Sequence, residues 1–161
     1  MKKTLTTIIL FLLLGCFAMA QTPAQTLPEF KLFRLDDRAF SNKDLTPGKM
    51  TFLVFFDPDC EHCQHAIKII GQQYKSFKKP AIYLISNFSP NKINLFMNTY
   101  GLPLKAQKNV TILQDKLNLF ISTFKPRKYP SMFLYSSQNK LIDYEDDPAM
   151  IDKFIKAIAG K

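Results

Sequence analysis

The run Thr51-Phe52-Leu53-Val54-Phe55-Phe56 constrains this chain more than any other feature. Six β-branched, aliphatic or aromatic residues in a row show no polar alternation, so the run reads as a strand buried on both faces of a sheet. Such a strand needs a covering layer on each side. A second run of this kind, Ala-Ile-Tyr-Leu-Ile-Ser, occupies residues 81–86, and residues 110–113, 131–135 and 141–144 are shorter candidates. The polar stretch 136–140 between the last two suggests a hairpin.

Helical periodicities alternate with these strands. Cys60, Cys63, Ile67, Ile70, Tyr74 and Phe77 recur every three or four residues, which predicts a helix of about five turns with one apolar stripe. Ser89-Pro90 is a cap and a first-turn proline opening a helix through Tyr100. Leu117, Phe120, Ile121 and Phe124 predict a short third helix. Asp147-Pro148 opens the last one, with Ile151, Phe154, Ile155 and Ile158 on its apolar face and Gly160 at its end. Strands alternating with helices, followed by a hairpin and a helix, describe an α/β layer fold with a central mixed sheet. The chain has 161 residues, 47% of them hydrophobic, and no linker or repeat, so one core and one domain are expected. A disordered, collagenous or disulfide-dense chain is excluded by the same composition.

The first twenty residues set a compartment. Met1-Lys2-Lys3 is a basic start, an apolar stretch from Thr4 to Leu14 follows, and Ala18-Met19-Ala20 offers a small-x-small cleavage pattern before Gln21. Residues 1–20 therefore read as a signal peptide and residues 21–161 as the folded domain, with 21–28 a polar, mobile leader. Export to the periplasm is the expectation. Leu13-Leu14-Gly15-Cys16 also resembles a bacterial lipoprotein signal, in which Cys16 would carry the lipid. Phe17 and the intact Ala-Met-Ala site weigh towards simple cleavage. Either route leaves the domain two usable cysteines in a compartment where disulfide chemistry is possible.

Those two cysteines carry the chemistry. Cys60-Glu61-His62-Cys63 stands four residues after the buried strand and at the mouth of a helix. A two-residue gap lets two sulfurs approach bonding distance on the first turn. The unpaired N–H groups at the helix start favour a thiolate at the outer sulfur. Since both cysteines begin the core-facing stripe, Cys63 is expected under the helix and Cys60 at its exposed tip. Cys60 would then attack or be attacked, and Cys63 would resolve the mixed disulfide. His62 favours a Cys60 thiolate, whereas Glu61 and Asp59 oppose it, so a moderately acidic Cys60 is expected. His65 falls on the polar face with Gln64, Lys68 and Gln72 and reads as a solvated surface residue.

Two other readings of the pair fit less well. A static staple across two residues closes almost no loop and stabilises little. Cys60, His62, Cys63 and His65 could suggest zinc or copper, but one helix turn cannot wrap four ligands tetrahedrally and no second ligand cluster exists. No metal is expected. Further along, Tyr129-Pro130 precedes a strand, and an X-Pro bond after an aromatic residue is a candidate for the cis form.

Several separated segments together resemble the thioredoxin-like superfamily, and within it the TlpA-like branch of exported thiol-disulfide oxidoreductases. They are Leu27-Pro28-Glu29-Phe30, Asp44-Leu45 with Gly48-Lys49, Cys60-Glu61-His62-Cys63, Asp115, and Tyr129-Pro130-Ser131 before Phe133-Leu134-Tyr135. The resemblance implies a thioredoxin fold, Cys60 as nucleophile and Cys63 as resolving cysteine. It also implies Pro130 as a cis-proline beside them and Tyr129 as a backbone contact for an extended substrate. It implies protein disulfide or dithiol substrates, no cofactor, and a membrane electron donor. The chain departs from the family in three places: Asp59 replaces a tryptophan, Val54 a buried acid, and Ala66 a helix glutamate. These departures bear on proton handling and on the direction of exchange. A disulfide-forming oxidase and a redox-inactive binding module are the alternatives. A peroxiredoxin is disfavoured, because Asp57 and Leu53 stand where its threonine and proline would be.

The net charge of +9 is spread over scattered lysines and arginines without interleaved aromatics, so no nucleic-acid partner is expected. Lys125, Arg127 and Lys128 precede the Tyr129-Pro130 loop and could steer acidic partners towards Cys60. Composition says nothing of oligomeric state.

Overall fold

The computed structural model describes residues 21–160, so the segment expected to be a signal peptide, with Cys16, lies outside the described residues. Seven strands form one sheet: β1 (Lys31–Arg34), β2 (Ala39–Ser41), β3 (Thr51–Phe55), β4 (Ala81–Ser86), β5 (Val110–Gln114), β6 (Ser131–Tyr135) and β7 (Leu141–Glu145). Their spatial order is β2-β1-β5-β4-β3-β6-β7. The three central strands β5, β4 and β3 run parallel, and every other pairing is antiparallel. The helices are α1 (Glu61–Gln72), α2 (Pro90–Tyr100), α3 (Leu102–Lys105), α4 (Phe120–Phe124) and α5 (Ile151–Ala159).

Side chains of β3 alternate between two cores, as a two-sided buried strand requires. Phe52, Val54 and Phe56 join Cys63, Ile67, Ile70, Phe96, Met97 and Phe154 under α1, α2 and α5. Leu53 and Phe55 join Phe40, Tyr83, Phe120, Phe124, Phe133 and Tyr135 on the opposite face. That second layer is built largely from aromatic rings: Phe120 lies 4.3 Å from Phe55 and 4.2 Å from Phe124, centroid to centroid.

Four local expectations change. The first helix is shorter than the five turns predicted. It ends at Gln72 because Gln73 leaves the helical region (φ −97, ψ 19), and a 3-10 turn carries Tyr74–Phe77 onward. The turn lets the Tyr74 hydroxyl reach Asn109 Oδ1 at 2.5 Å. The third helix starts only at Phe120. Asn118 is left-handed (φ 55), and the Asp115 carboxylate accepts the Leu119 and Phe120 N–H groups at 3.0 and 2.9 Å, which leaves Leu117 exposed. The last helix opens with a 3-10 turn, Pro148–Met150, whose Ala149 N–H the Asp147 side chain accepts. The leader expected to be mobile is tied to the domain from Ala24 onward. Ala24 N–H donates to Phe124 O, Leu27 N–H donates to Asn139 O, and the Tyr135 hydroxyl donates to Ala24 O.

Candidate active site

The C-terminal ends of β3 and β4 meet the N-terminal end of β6, and two loops converge there. In the first, Asp57-Pro58-Asp59-Cys60 runs from β3 into α1. Cys60 caps α1 with extended backbone (φ −85, ψ 118). Its N–H donates to Asp57 O at 3.2 Å, and Asp59 N–H donates to Asp57 Oδ1 at 2.8 Å. This is an Asp-Pro turn closing on itself, and it fixes the approach to the helix. Cys60 is partly exposed, whereas Cys63, one turn on, is 0% exposed. The Cys63 sulfur accepts the Asp57 N–H at 3.4 Å. Burial pushes the Cys63 thiol well above its ordinary range, and the neighbouring Cys60 and Asp57 add to that against the opposing Asp57 N–H bond. Both cysteines are free thiols.

Glu61 and His62 are exposed, as is His65. Asp59 is also exposed and forms an ion pair with Lys92 of α2, whose ammonium lies 4.3 Å from the centre of the Phe88 ring. Beside that pair is a groove of about 390 Å³, bounded by Pro58, Asp59, Gln64, Lys92, Leu95 and Tyr100. Leu95 is 67% exposed there.

The second loop is Lys125 to Pro130. The Tyr129–Pro130 bond is cis, and Phe55 pairs with Ser131 across β3 and β6, so the proline lies next to the end of β3. The Tyr129 ring packs 4.9 Å from Phe55. Its phenol is pushed up to about 12, first by burial and then by the charges of Asp57, Cys63 and Asp115. Tyr129 and Pro130 therefore join Asp57, Cys60 and Cys63 at one place, while Glu61 and His62 stand at its rim. Arg127 and Lys128, which the sequence offers as a steer for acidic partners, are not free charges. Both pair with Asp146, at 2.9 and 3.5 Å.

Sequence reasoning passed over Asp57 except as a departure from the peroxiredoxin pattern. The Asp-Pro-Asp run before Cys60 was the available signal, since an aspartate opening such a turn caps the residues after it. It also passed over Tyr144, whose hydroxyl accepts Arg127 N–H at 2.9 Å and donates to Ser131 Oγ at 2.8 Å. Among the described residues, no group of three or more His, Cys, Asp or Glu side chains is placed to hold a metal ion.

Residues 23–144 match the model of the AhpC/TSA family. The chain belongs to the AhpC/TSA family. Within it, the chain is 26% identical over 118 residues to the thiol-disulfide oxidoreductase ResA of Bacillus subtilis, a match covering 71% of this chain and 62% of that protein's length. Its fold is that of thioredoxin-like proteins. It superposes on a secreted Mycobacterium tuberculosis disulfide oxidoreductase homologous to E. coli DsbE with a TM-score of 0.65, at 19% identity, covering 82% of this chain and 96% of the other. The peroxidoxin BcpB of M. tuberculosis gives a TM-score of 0.70 at 15% identity, covering 87% and 97%. The shared fold thus serves proteins of more than one description, and chemistry has to be argued from the site.

Proposed function

We infer that the protein is an exported thiol-disulfide oxidoreductase that exchanges dithiol and disulfide with other exported proteins through Cys60-Glu61-His62-Cys63. The observation that carries this reading is the contrast between the two sulfurs: Cys60 partly exposed at the cap of α1, Cys63 sealed one turn beneath it. Reduced Cys60 attacks a substrate disulfide, forming a mixed disulfide and expelling one substrate thiolate. Cys63 then attacks Cys60, releases the second substrate sulfur, and leaves the Cys60–Cys63 disulfide. Tyr129 and Pro130 present backbone to an extended substrate segment, as an added strand would. Asp59 and its Lys92 partner set the local charge beside Cys60. No cofactor takes part, and a membrane electron donor returns the pair to the dithiol.

The reductant direction is the primary reading. His62, exposed between Cys60 and Cys63, favours a second one, the oxidant direction, because an imidazole dipole beside the Cys60 sulfur stabilises its thiolate and with it the reduced form. The reduction potential against glutathione decides between them: about −270 mV supports a reductant and about −120 mV an oxidant. Insulin-disulfide reduction by the wild type, lost in Cys60→Ser, is the expected result. Wild-type inactivity with partner binding intact would leave only a binding module.

A further inference from the structure

A resolving cysteine must lose a proton, and the surroundings of Cys63 oppose that. The side chain is fully buried, and burial holds its thiol well above the ordinary range. A nearby base is what such a thiol needs in order to attack.

Few groups can supply one. Besides Cys63, α1 buries Ala66, Ile67, Ile70 and Gly71, none of them a base, and β3 offers Val54. Glu61, His62 and Asp59 are exposed at the rim, the last of them paired with Lys92. Asp115 is buried, but its two carboxylate oxygens already accept the Leu119 and Phe120 N–H groups. Tyr129 stays protonated at neutral pH, its phenol held at about 12.

Asp57 remains. Its backbone touches both cysteines: its N–H donates to Cys63 Sγ and its carbonyl accepts the Cys60 N–H. Its Oδ1 accepts the Asp59 N–H at 2.8 Å, while Oδ2 has no hydrogen-bond partner among the described residues. The charge of the carboxylate acts on Cys63 and on Tyr129 across the site.

We propose that the Asp57 carboxylate is the base of the resolving step, taking the Cys63 proton as Cys63 Sγ attacks the Cys60 sulfur of the mixed disulfide. This rests on the exchange reading above. The Cys60–Cys63 S–S bond forms and the bond from Cys60 to substrate breaks. The bonding pair leaves with the substrate sulfur, and Asp57 passes the proton to that thiolate or to water. The carboxylate ends as it began, and no co-reactant is used.

The experiment follows both sulfurs in one reaction. Reduced protein is mixed with 5,5′-dithiobis(2-nitrobenzoate). Attack by Cys60 releases a first thionitrobenzoate, and resolution by Cys63 releases a second. Asp57→Asn keeps the Oδ1 cap and the backbone contacts and removes only the base. The second release then slows about tenfold or more at neutral pH, while the first is not slowed. Its rate also climbs about tenfold per pH unit, as the thiolate fraction of an unassisted thiol does, where the wild type is level. In heavy water, the wild-type second release slows more than the first. An Asp57→Asn second release with the wild-type rate and profile overturns the proposal, as does parallel slowing of both releases or an equal heavy-water effect on both. Failure of the exchange reading itself looks different: the wild type gives no first release.

Discussion

The two loops that meet at the candidate site are held in opposite ways. The Asp57-to-Cys60 loop is held from within. Its bonds run from Cys60 to Asp57, from Asp59 to Asp57, from Gln64 to Cys60 and from Asp57 to Cys63, all inside one short stretch of chain. The Lys125-to-Pro130 loop is held from outside. Tyr144 on β7 takes the Arg127 N–H and bonds Ser131 Oγ, whose own proton goes to Lys128 O at 2.6 Å. Asp146, just beyond β7, pairs with Arg127 and Lys128. The first loop is therefore complete once α1 docks. The second depends on an edge strand that is partly exposed along its whole length, and such strands open at lower free energy than the centre of a sheet. The proposed nucleophile ends the self-contained loop, with the proposed resolving thiol one turn into α1, and the proposed substrate contact sits on the borrowed one.

The largest effects should fall on the self-contained loop. Cys60→Ser is expected to abolish insulin reduction, a loss of about a thousandfold or more. Cys63→Ser should keep the first attack and accumulate a mixed disulfide with substrate, visible as a mass adduct on Cys60. If Cys63→Ser turns over normally, the two sulfurs have no division of labour. The next effect is on stability at alkaline pH. The Cys63 thiol and the Tyr129 phenol are both raised on folding, the latter to about 12. Their stabilising contributions are full below the unfolded values, about 8.5 for a thiol and 10 for a phenol, and fade as pH rises past them. Urea midpoints measured from pH 7 to 11 should fall, with the decline beginning near the thiol value. Cys63→Ala should flatten more of that decline than Tyr129→Phe, because the cysteine is the more deeply buried.

Tyr144→Phe comes third. It removes one hydroxyl and leaves the ring against Phe133 at 4.8 Å. The Arg127 N–H and Ser131 Oγ each lose a partner, so urea unfolding should show a cost of about 1 to 2 kcal/mol. If the proline loop is the substrate contact, KM should rise while kcat stays near its wild-type value. A matching fall in kcat would mean that the loop also shapes the sulfur site.

The same contrast explains what could be read from the sequence. The central strands, the helix faces and the Cys60–Cys63 placement follow from periodicity and spacing, which are local. The β1–β2 hairpin escaped notice because its strands have four and three residues and reverse through Asp37 in the left-handed region (φ 71), without a glycine. Such short runs carry little alternation. The docking of the leader was hidden because Ala24 and Leu27 are held by Phe124, Tyr135 and Asn139, a hundred or more residues away. Asp57 could have been found from its turn, whereas Tyr144 and Asp146 could not. Their role exists only once β6 and β7 pair.

Asp146 offers the smallest and most selective test. Its side chain is 14% exposed, against 47% for Arg127 and 64% for Lys128, so the pairing is shielded mainly on the acidic side. Asp146→Asn keeps the shape and removes the charge. An ion pair with one largely solvated partner contributes little, so stability should drop by no more than about 1 kcal/mol. The informative change is kinetic. With Asp146 neutral, the charges of Arg127 and Lys128 face solvent beside Tyr129. Mixed-disulfide formation with an acidic peptide should then quicken at low salt, and the gain should vanish near 1 M salt, where the Debye length is about 3 Å. A basic peptide should slow under the same conditions. If neither peptide responds, the basic side chains of the proline loop stand too far from the path of approach, and the loop acts through its backbone alone.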